Sequence, residues 1–217
     1  MKTFLDLDGT IVDSTQRHVL ALKDILLEEG IEVNIDNYLS YKRDGFSTKQ
    51  YLENMLGLST LQSVSISNKW VKVIEDQKYL LLDSLYDDSN VFLDWLSMQG
   101  SCIYILTARK NERLTYEFLK NSGIQKKINQ LYVVSPSNAT EEKKHILSKH
   151  VANEFFYIGD TEADFDACKG IDIQMFVLNR GFRSKKYWDN RGVETYSNLH
   201  EIKRIMSRMI CSGGEHN

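Results

Sequence analysis

Two carboxylates one residue apart, Asp6 and Asp8 in the stretch FLDLDGTIVDS (residues 4–14), close an apolar run and precede Gly9. On a continuing strand, side chains at i and i+2 share a face, so both acids would point the same way. Each would then raise the other's pKa unless a cation or a shared proton relieved the pair. A second acidic pair, Asp160 and Asp164 in GDTEAD (159–164), closes another apolar run, and Thr107 closes a third, SCIYILTA (101–108). Ligands of open α/β sheets bind at the carboxyl ends of the strands, so these groups are expected on one edge. Three or four carboxylates gathered there require a cation. Oxygen donors with no neighbouring His or Cys favour a hard ion such as Mg²⁺.

The elements that must position these residues follow from periodicity. KTFLDL, residues 101–108, QLYVVS (130–135), EFFYIGD (154–160) and IQMFVL (173–178) are short, apolar and rich in β-branched or aromatic residues, as buried strands are. Residues 111–123 and 140–151 carry apolar positions at helical spacing between them, which predicts an α/β, doubly wound parallel sheet. Between the first and second strands lie about ninety residues of helical pattern, too long for an ordinary crossover. Stretches 14–30, with Ser14 as N-cap and Gly30 as terminator, 47–57 and 67–85 are amphipathic. The expectation is therefore a catalytic core from 1–14 and 86–210, an inserted helical cap over 15–85, and a disordered tail at 211–217.

The 217 residues carry a net charge of −3 with no basic stripe, which gives no field for nucleic acid. Cys102, Cys168 and Cys211 lack metal or redox spacing and read as free thiols of a reducing compartment. With no apolar leader and no run near the roughly 20 apolar residues of a membrane span, a cytoplasmic location is expected.

Taken together, DLDGT, ILTA, a lysine in EEKKHIL and GDTEAD resemble, in order, the four motifs of the haloacid dehalogenase-like phosphohydrolases. The inserted helical segment is similar to the small cap of the phosphoglycolate phosphatase and β-phosphoglucomutase-like members. The resemblance implies a Rossmann-like core and a Mg²⁺-dependent phosphatase of small phosphorylated metabolites. It implies that Asp6 attacks phosphorus to give an aspartyl-phosphate, and that Asp8 protonates the leaving oxygen and then activates water. Asp6, Asp8, Asp160 and Asp164 are the implied metal set, Asp164 either through water or by holding the lysine. Gly9, Thr10, Thr107, Ala108 and the lysine are the implied phosphate binders.

Lys143 is preferred to Lys144 for that lysine, because Ile146 and Leu147 then fall at i+3 and i+4 and hold its stem against the core. Arg43, beside Lys42 and before Gly45, and Arg109 are candidate substrate contacts, against a reading of both as ordinary surface cations. TARK and KKHI depart from the Asn-Lys and Lys-Pro that often follow in relatives, which leaves the subfamily open. The same residues would serve a phosphomutase, or a phosphometabolite-binding module that has lost turnover. Oligomeric state is not written in the sequence.

Overall fold

The computed structural model describes residues 1–150 and 154–213. In chain order the strands are β1 (Lys2–Leu5), β2 (Val12–Asp13), β3 (Ser84–Leu85), β4 (Cys102–Ala108), β5 (Gln130–Val134), β6 (Phe155–Gly159), β7 (Gln174–Leu178) and β8 (Thr195–Tyr196). Helices α1 (Thr15–Glu28), α2 (Tyr38–Arg43), α3 (Thr48–Asn54), α4 (Thr60–Val73) and α5 (Gln77–Leu80) lie between β2 and β3. After them come α6 (Ser89–Met98), α7 (Glu112–Asn121), α8 (Ala139–Leu147), α9 (Glu162–Ala167), α10 (Lys185–Asp189) and α11 (Leu199–Gly213).

Six strands form one parallel sheet in the order β5-β4-β1-β6-β7-β8. The period of two along each strand sends alternate residues to opposite faces. Leu5, Ile103, Ile105, Phe156 and Ile158 pack with Phe92, Leu93 and Leu96 of α6 and Ile202 and Met206 of α11. Phe4, Leu106 and Tyr157 pack on the other face with Leu147 of α8 and Ala167 of α9. Leu5 stands opposite Ile105 on one side and Ile158 on the other, so β1, β4 and β6 end side by side. This is the Rossmann-like α/β architecture expected from the strand and helix periodicities.

The helices between β2 and β3 enclose a hydrophobic cluster of their own, including Leu22, Ile25, Tyr38, Tyr51, Ile66 and Trp70. Val12 pairs with Leu85 and Asp13 with Ser84 in a short antiparallel ribbon through which the chain leaves and re-enters the sheet region. Several local expectations are revised. Residues 67–85 form no single helix: α4 ends at Val73, α5 is one turn long, and β3 follows. The N-cap of α1 is Ser14, but its side chain makes no cap bond; Asp13 Oδ1 accepts from the Thr15 N–H and hydroxyl instead.

Cys211 to Gly213 complete α11 rather than belonging to a disordered tail; the expected tail beyond them, 214–217, lies outside the described residues. The helix expected over 140–151 runs from Ala139 and stops at Leu147, with Ser148 as its C-cap; of the expected span only residue 151 lies outside the described residues. Among the described residues no helix is long and apolar enough to cross a membrane.

Candidate active site

β1 stops at Leu5, and the chain then turns through Gly9, whose φ of +74° is open to glycine at no steric cost. Asp6 and Asp8 therefore do not sit on one strand face. Both line a cavity of about 250 Å³ at the carboxyl edge of the sheet, with Arg17, His18, Trp70, Thr107, Ala108, Arg109 and Lys143 among the other walls. Their carboxylates nevertheless meet different cations.

Asp6 accepts from Lys143 Nζ at 3.0 Å, and the same ammonium donates to Asp164 Oδ1 at 2.5 Å. Lys143 is 2 % exposed, its stem held by the buried face of α8 that also carries Leu147. Lys144 is not among the cavity walls. Asp164 is saturated: Tyr157 Oη donates to Oδ1, and the Thr161 N–H and hydroxyl donate to Oδ2, which closes the first turn of α9 as a capping box. Asp160 Oδ2 accepts from the Phe182 N–H at 2.6 Å, whereas Oδ1 is buried without a partner.

One oxygen from each of Asp6, Asp160 and Asp164 lies within 4.8 Å of the others. Burial first, then the charge of Asp164, pushes Asp6 up to about 7, despite the opposing pull of Lys143. Burial and the charges of Asp6 and Asp164 raise Asp160 well above the usual carboxylate range. For Asp164, burial is outweighed by Lys143, Tyr157 and Thr161, and its pKa is lowered. An orphaned buried oxygen and a set of hard oxygen donors sharing one cation fit a divalent ion of the Mg²⁺ type. Asp160 is also sterically fixed. A Cβ on Gly9 would lie 2.4 Å, and one on Gly181 2.1 Å, from its Oδ2.

Asp8 is absent from this carboxylate set because its oxygens are taken elsewhere. Arg109 donates to Oδ2 from Nε at 2.8 Å and to Oδ1 from a terminal nitrogen at 2.7 Å, and Arg17 donates to Oδ1 as well. Burial would raise Asp8, but these guanidinium groups outweigh it and hold the carboxyl well below its usual range.

The remaining expected residues divide. Thr107 and Ala108 line the cavity near the end of β4. Gly9 backs Asp160, and Thr10 turns its carbonyl to Arg180. Arg109 is 2 % exposed and is no surface cation. Arg43 lies in a separate cleft with Arg180, Gly181 and Ser184, its guanidinium donating to the Asn179 carbonyl at 2.6 Å. It tethers α2 to the loop after β7 and does not reach the carboxylates.

Sequence reasoning did not single out Arg17, His18, Asp83 or Phe182. Arg17 carried a usable signal: it stands four and eight residues before Ala21 and Ile25 on the buried face of α1, where an arginine is out of place. Asp83 likewise interrupts the apolar run LLLDSL.

The family model for haloacid dehalogenase-like hydrolases matches residues 4–178, from the second half of β1 to the end of β7, and takes in every residue of the cavity except Phe182. The chain belongs to the haloacid dehalogenase-like hydrolase family. Solved structures share the fold. A candidate phosphatase from Clostridium difficile superposes with a TM-score of 0.75 at 18% identity, over 94% of this chain and 96% of that one. A haloacid dehalogenase-like family hydrolase from Streptococcus pneumoniae gives 0.68 at 22%, over 94% and 97%. A candidate phosphoglycolate phosphatase from Lactobacillus delbrueckii subsp. bulgaricus gives 0.70 at 17%, over 94% and 97%. No curated protein matches the chain by sequence. In this chain the Asp6, Lys143, Asp160 and Asp164 constellation occupies the carboxyl edge where open α/β sheets bind their ligands.

Proposed function

We propose that this hydrolase is a Mg²⁺-dependent phosphatase of small phosphorylated metabolites that works through an aspartyl-phosphate on Asp6. The observation that carries the reading is Asp6 itself: a carboxylate 6 % exposed, held by a lysine and facing a cavity wall with Thr107. A carboxylate nucleophile splits hydrolysis into two easier displacements, and phosphoryl transfer asks little beyond in-line placement and charge neutralisation. The solved neighbours described as candidate phosphatases support phosphatase activity as such.

Lys143 orients Asp6 and offsets its charge together with that of the incoming phosphoryl group. Thr107 and the backbone that follows it offer donors to the phosphoryl oxygens. Asp6 and Asp160 would hold the metal, with Asp164 acting through water or through the lysine it fixes. When bound, Mg²⁺ supplies charge neutralisation at the phosphoryl oxygens and at the carboxylates that otherwise repel one another.

Asp8 is proposed as the group that protonates the leaving oxygen and then takes a proton from water. As an ionised carboxylate between two guanidinium groups it is set up as the base. Serving as the acid requires that at least one guanidinium let it go. We further propose that residues 15–85 act as a cap that closes over the core and excludes bulk water from the reacting groups.

The test is hydrolysis of p-nitrophenyl phosphate. Activity should vanish in excess EDTA and return with Mg²⁺ or Mn²⁺, and Ca²⁺ should inhibit because its looser coordination misplaces the reacting groups. Undiminished rates in EDTA would remove the metal from the account. A screen of phosphorylated metabolites for phosphate release, with product analysis on sugar phosphates, separates hydrolysis from return of the phosphoryl group to a sugar.

A further inference from the structure

Arg17 and Arg109 form a buried cationic pair whose counter-charges are both supplied by the protein itself. Asp83 Oδ2 accepts from the terminal nitrogen of Arg109 at 2.8 Å, and Asp83 Oδ1 lies 3.0 Å from Arg17 Nε. Asp8 takes the remaining contacts of the pair. The side chains of Arg17, Arg109 and Asp83 are 3 %, 1 % and 0 % exposed. The four groups come from four places: the turn after β1, the first turn of α1, the segment between α5 and β3, and the residue after β4. The quartet thus bridges the sheet to both connections of the helical segment.

A purely structural role explains this poorly. Buried ion networks are weak stabilisers beside apolar packing of equal volume, because each charge must be stripped of water. The network is also incompletely satisfied: Arg109 retains a buried terminal nitrogen, Nη1, with no partner, and both arginines line the cavity. Asp83 does not line it and sits behind them. An unpaired donor on a guanidinium nine-tenths buried, in a side chain that lines the cavity, is the arrangement expected of an anion subsite that is temporarily closed by an internal carboxylate.

We propose that Arg17 and Arg109 bind a second anionic group on the leaving portion of the substrate, of the carboxylate class, and that Asp83 is the internal anion that this group displaces. The inference rests on the phosphatase reading of the same cavity. It moves the second-anion contact away from Arg43, which lies in another cleft. Planar guanidinium forks suit a carboxylate, which can accept two parallel bonds from one arginine. Around the subsite, Asp8 on the sheet side and Glu75 from the end of α4 are the nearby negative charges. Glu75 is already committed to the Lys110 and Asn111 N–H groups, and Lys110 donates to the Val71 carbonyl. His18, on the same wall, is held neutral by burial and by Lys42 and Arg17, so it neither adds to nor opposes the anion. Asp83 is therefore the counter-charge that can be exchanged without undoing the turn that carries Asp6.

The experiment needs no turnover. Binding of 2-phosphonoacetate and 3-phosphonopropionate to the Mg²⁺-loaded protein is measured calorimetrically against their carboxamides, which keep the shape and lose the second charge. At least one acid should bind about tenfold or more tightly than its amide, as expected for a charge-assisted pair. Arg17→Gln should abolish that preference, Arg17→Lys should restore part of it, and Asp83→Asn should widen it by about threefold or more, since the competing carboxylate is gone. A merely structural Asp83 would alter acid and amide binding alike. Equal binding of acid and amide by the wild-type protein overturns the proposal, and that arm stands even if a variant fails to fold. A preference that survives Arg17→Gln undiminished overturns it as well. If neither acid nor amide binds while p-nitrophenyl phosphate is hydrolysed, the subsite alone is wrong. If that ester is not hydrolysed either, the phosphatase reading falls and the subsite with it.

Discussion

Asp6 and Asp8 stand two positions apart and are neutralised by different cations, a lysine from α8 for one and two arginines for the other. This separation gives their substitutions different signatures. Asp6→Asn should abolish turnover while leaving the fold intact, because an amide oxygen is a poor nucleophile and one buried carboxylate fewer relieves repulsion. Asp8→Ala should slow alkyl phosphates more than aryl phosphates, with roughly 10²–10⁴-fold at stake where the leaving group needs a proton. An equal loss on both would remove Asp8 from that role. Gly181→Ala should disturb the proposed metal set without replacing any of its residues, since a Cβ there would meet Asp160 Oδ2 at 2.1 Å and the Gly9 Cα at 2.7 Å. A higher Mg²⁺ requirement in a metal titration is the expected result. At this scale Asp6, Thr107 and Asp160 were legible because they end apolar runs, Asp164 because it follows in the first turn of a helix, and Lys143 because apolar residues three and four places on put it on the buried face of α8. Arg17 and Asp83 break apolar patterns and so left a trace, but a lone charge in such a pattern does not reveal its partners, which only tertiary packing supplies. The shared face expected for Asp6 and Asp8 failed because β1 stops at Leu5, and the turn at Gly9 re-aims Asp8.

Helix α2 shows how one element can carry a half-buried charge. Lys42 Nζ lies 4.6 Å from the centre of the Trp70 ring and 5.7 Å from that of Tyr38, close to the Thr48 hydroxyl. Burial first, and then the nearby Arg183, lowers its pKa to about 8, with Glu162 opposing. An unfolded lysine titrates near 10.4. Between about pH 8 and pH 10 the unfolded chain therefore holds more protons at this site, and the contribution of Lys42 to stability rises with pH; below pH 8 both states are protonated and the cost of burying the charge is constant. Urea denaturation of wild type and Lys42→Met across pH 7 to 10 should show the wild type gaining on the variant as pH rises. A constant difference would mean that the ammonium is solvated. Five parallel strands and several helices were legible as elements from period and length. The break between α4 and α5 was not, because Glu75 is drawn out of helical pattern to cap the Lys110 and Asn111 N–H groups, a partner more than thirty residues away. The one-turn helix α5 and the two-residue strands β2 and β3 are likewise too short to leave a periodic trace.

At the scale of the whole molecule, two hydrophobic clusters on either side of the β2–β3 ribbon are joined by polar contacts: Arg43 to Asn179, Glu75 to residues 110 and 111, and the Arg17, Arg109 and Asp83 network. A helical insert was legible from the length between the first two strands of the sheet. How it meets the core was not, because those contacts pair residues distant in sequence with no local signature. A metal held by Asp6 and Asp160, as proposed, would couple to the stability of the whole. Mg²⁺ should raise the melting temperature of wild type by mass action, whereas Asp160→Asn should melt at or above the metal-free wild type and gain little from Mg²⁺, as thermal denaturation with and without EDTA would show. The central claim is that the phosphoryl group passes through Asp6. Acid quench of the Mg²⁺-loaded protein during turnover of p-nitrophenyl phosphate, followed by peptide mass spectrometry, tests it most directly. The account predicts a phosphoryl group on Asp6 that hydroxylamine removes and that is missing from Asp6→Asn. A phosphoryl group on any other residue, or wild-type turnover by Asp6→Asn, would contradict it.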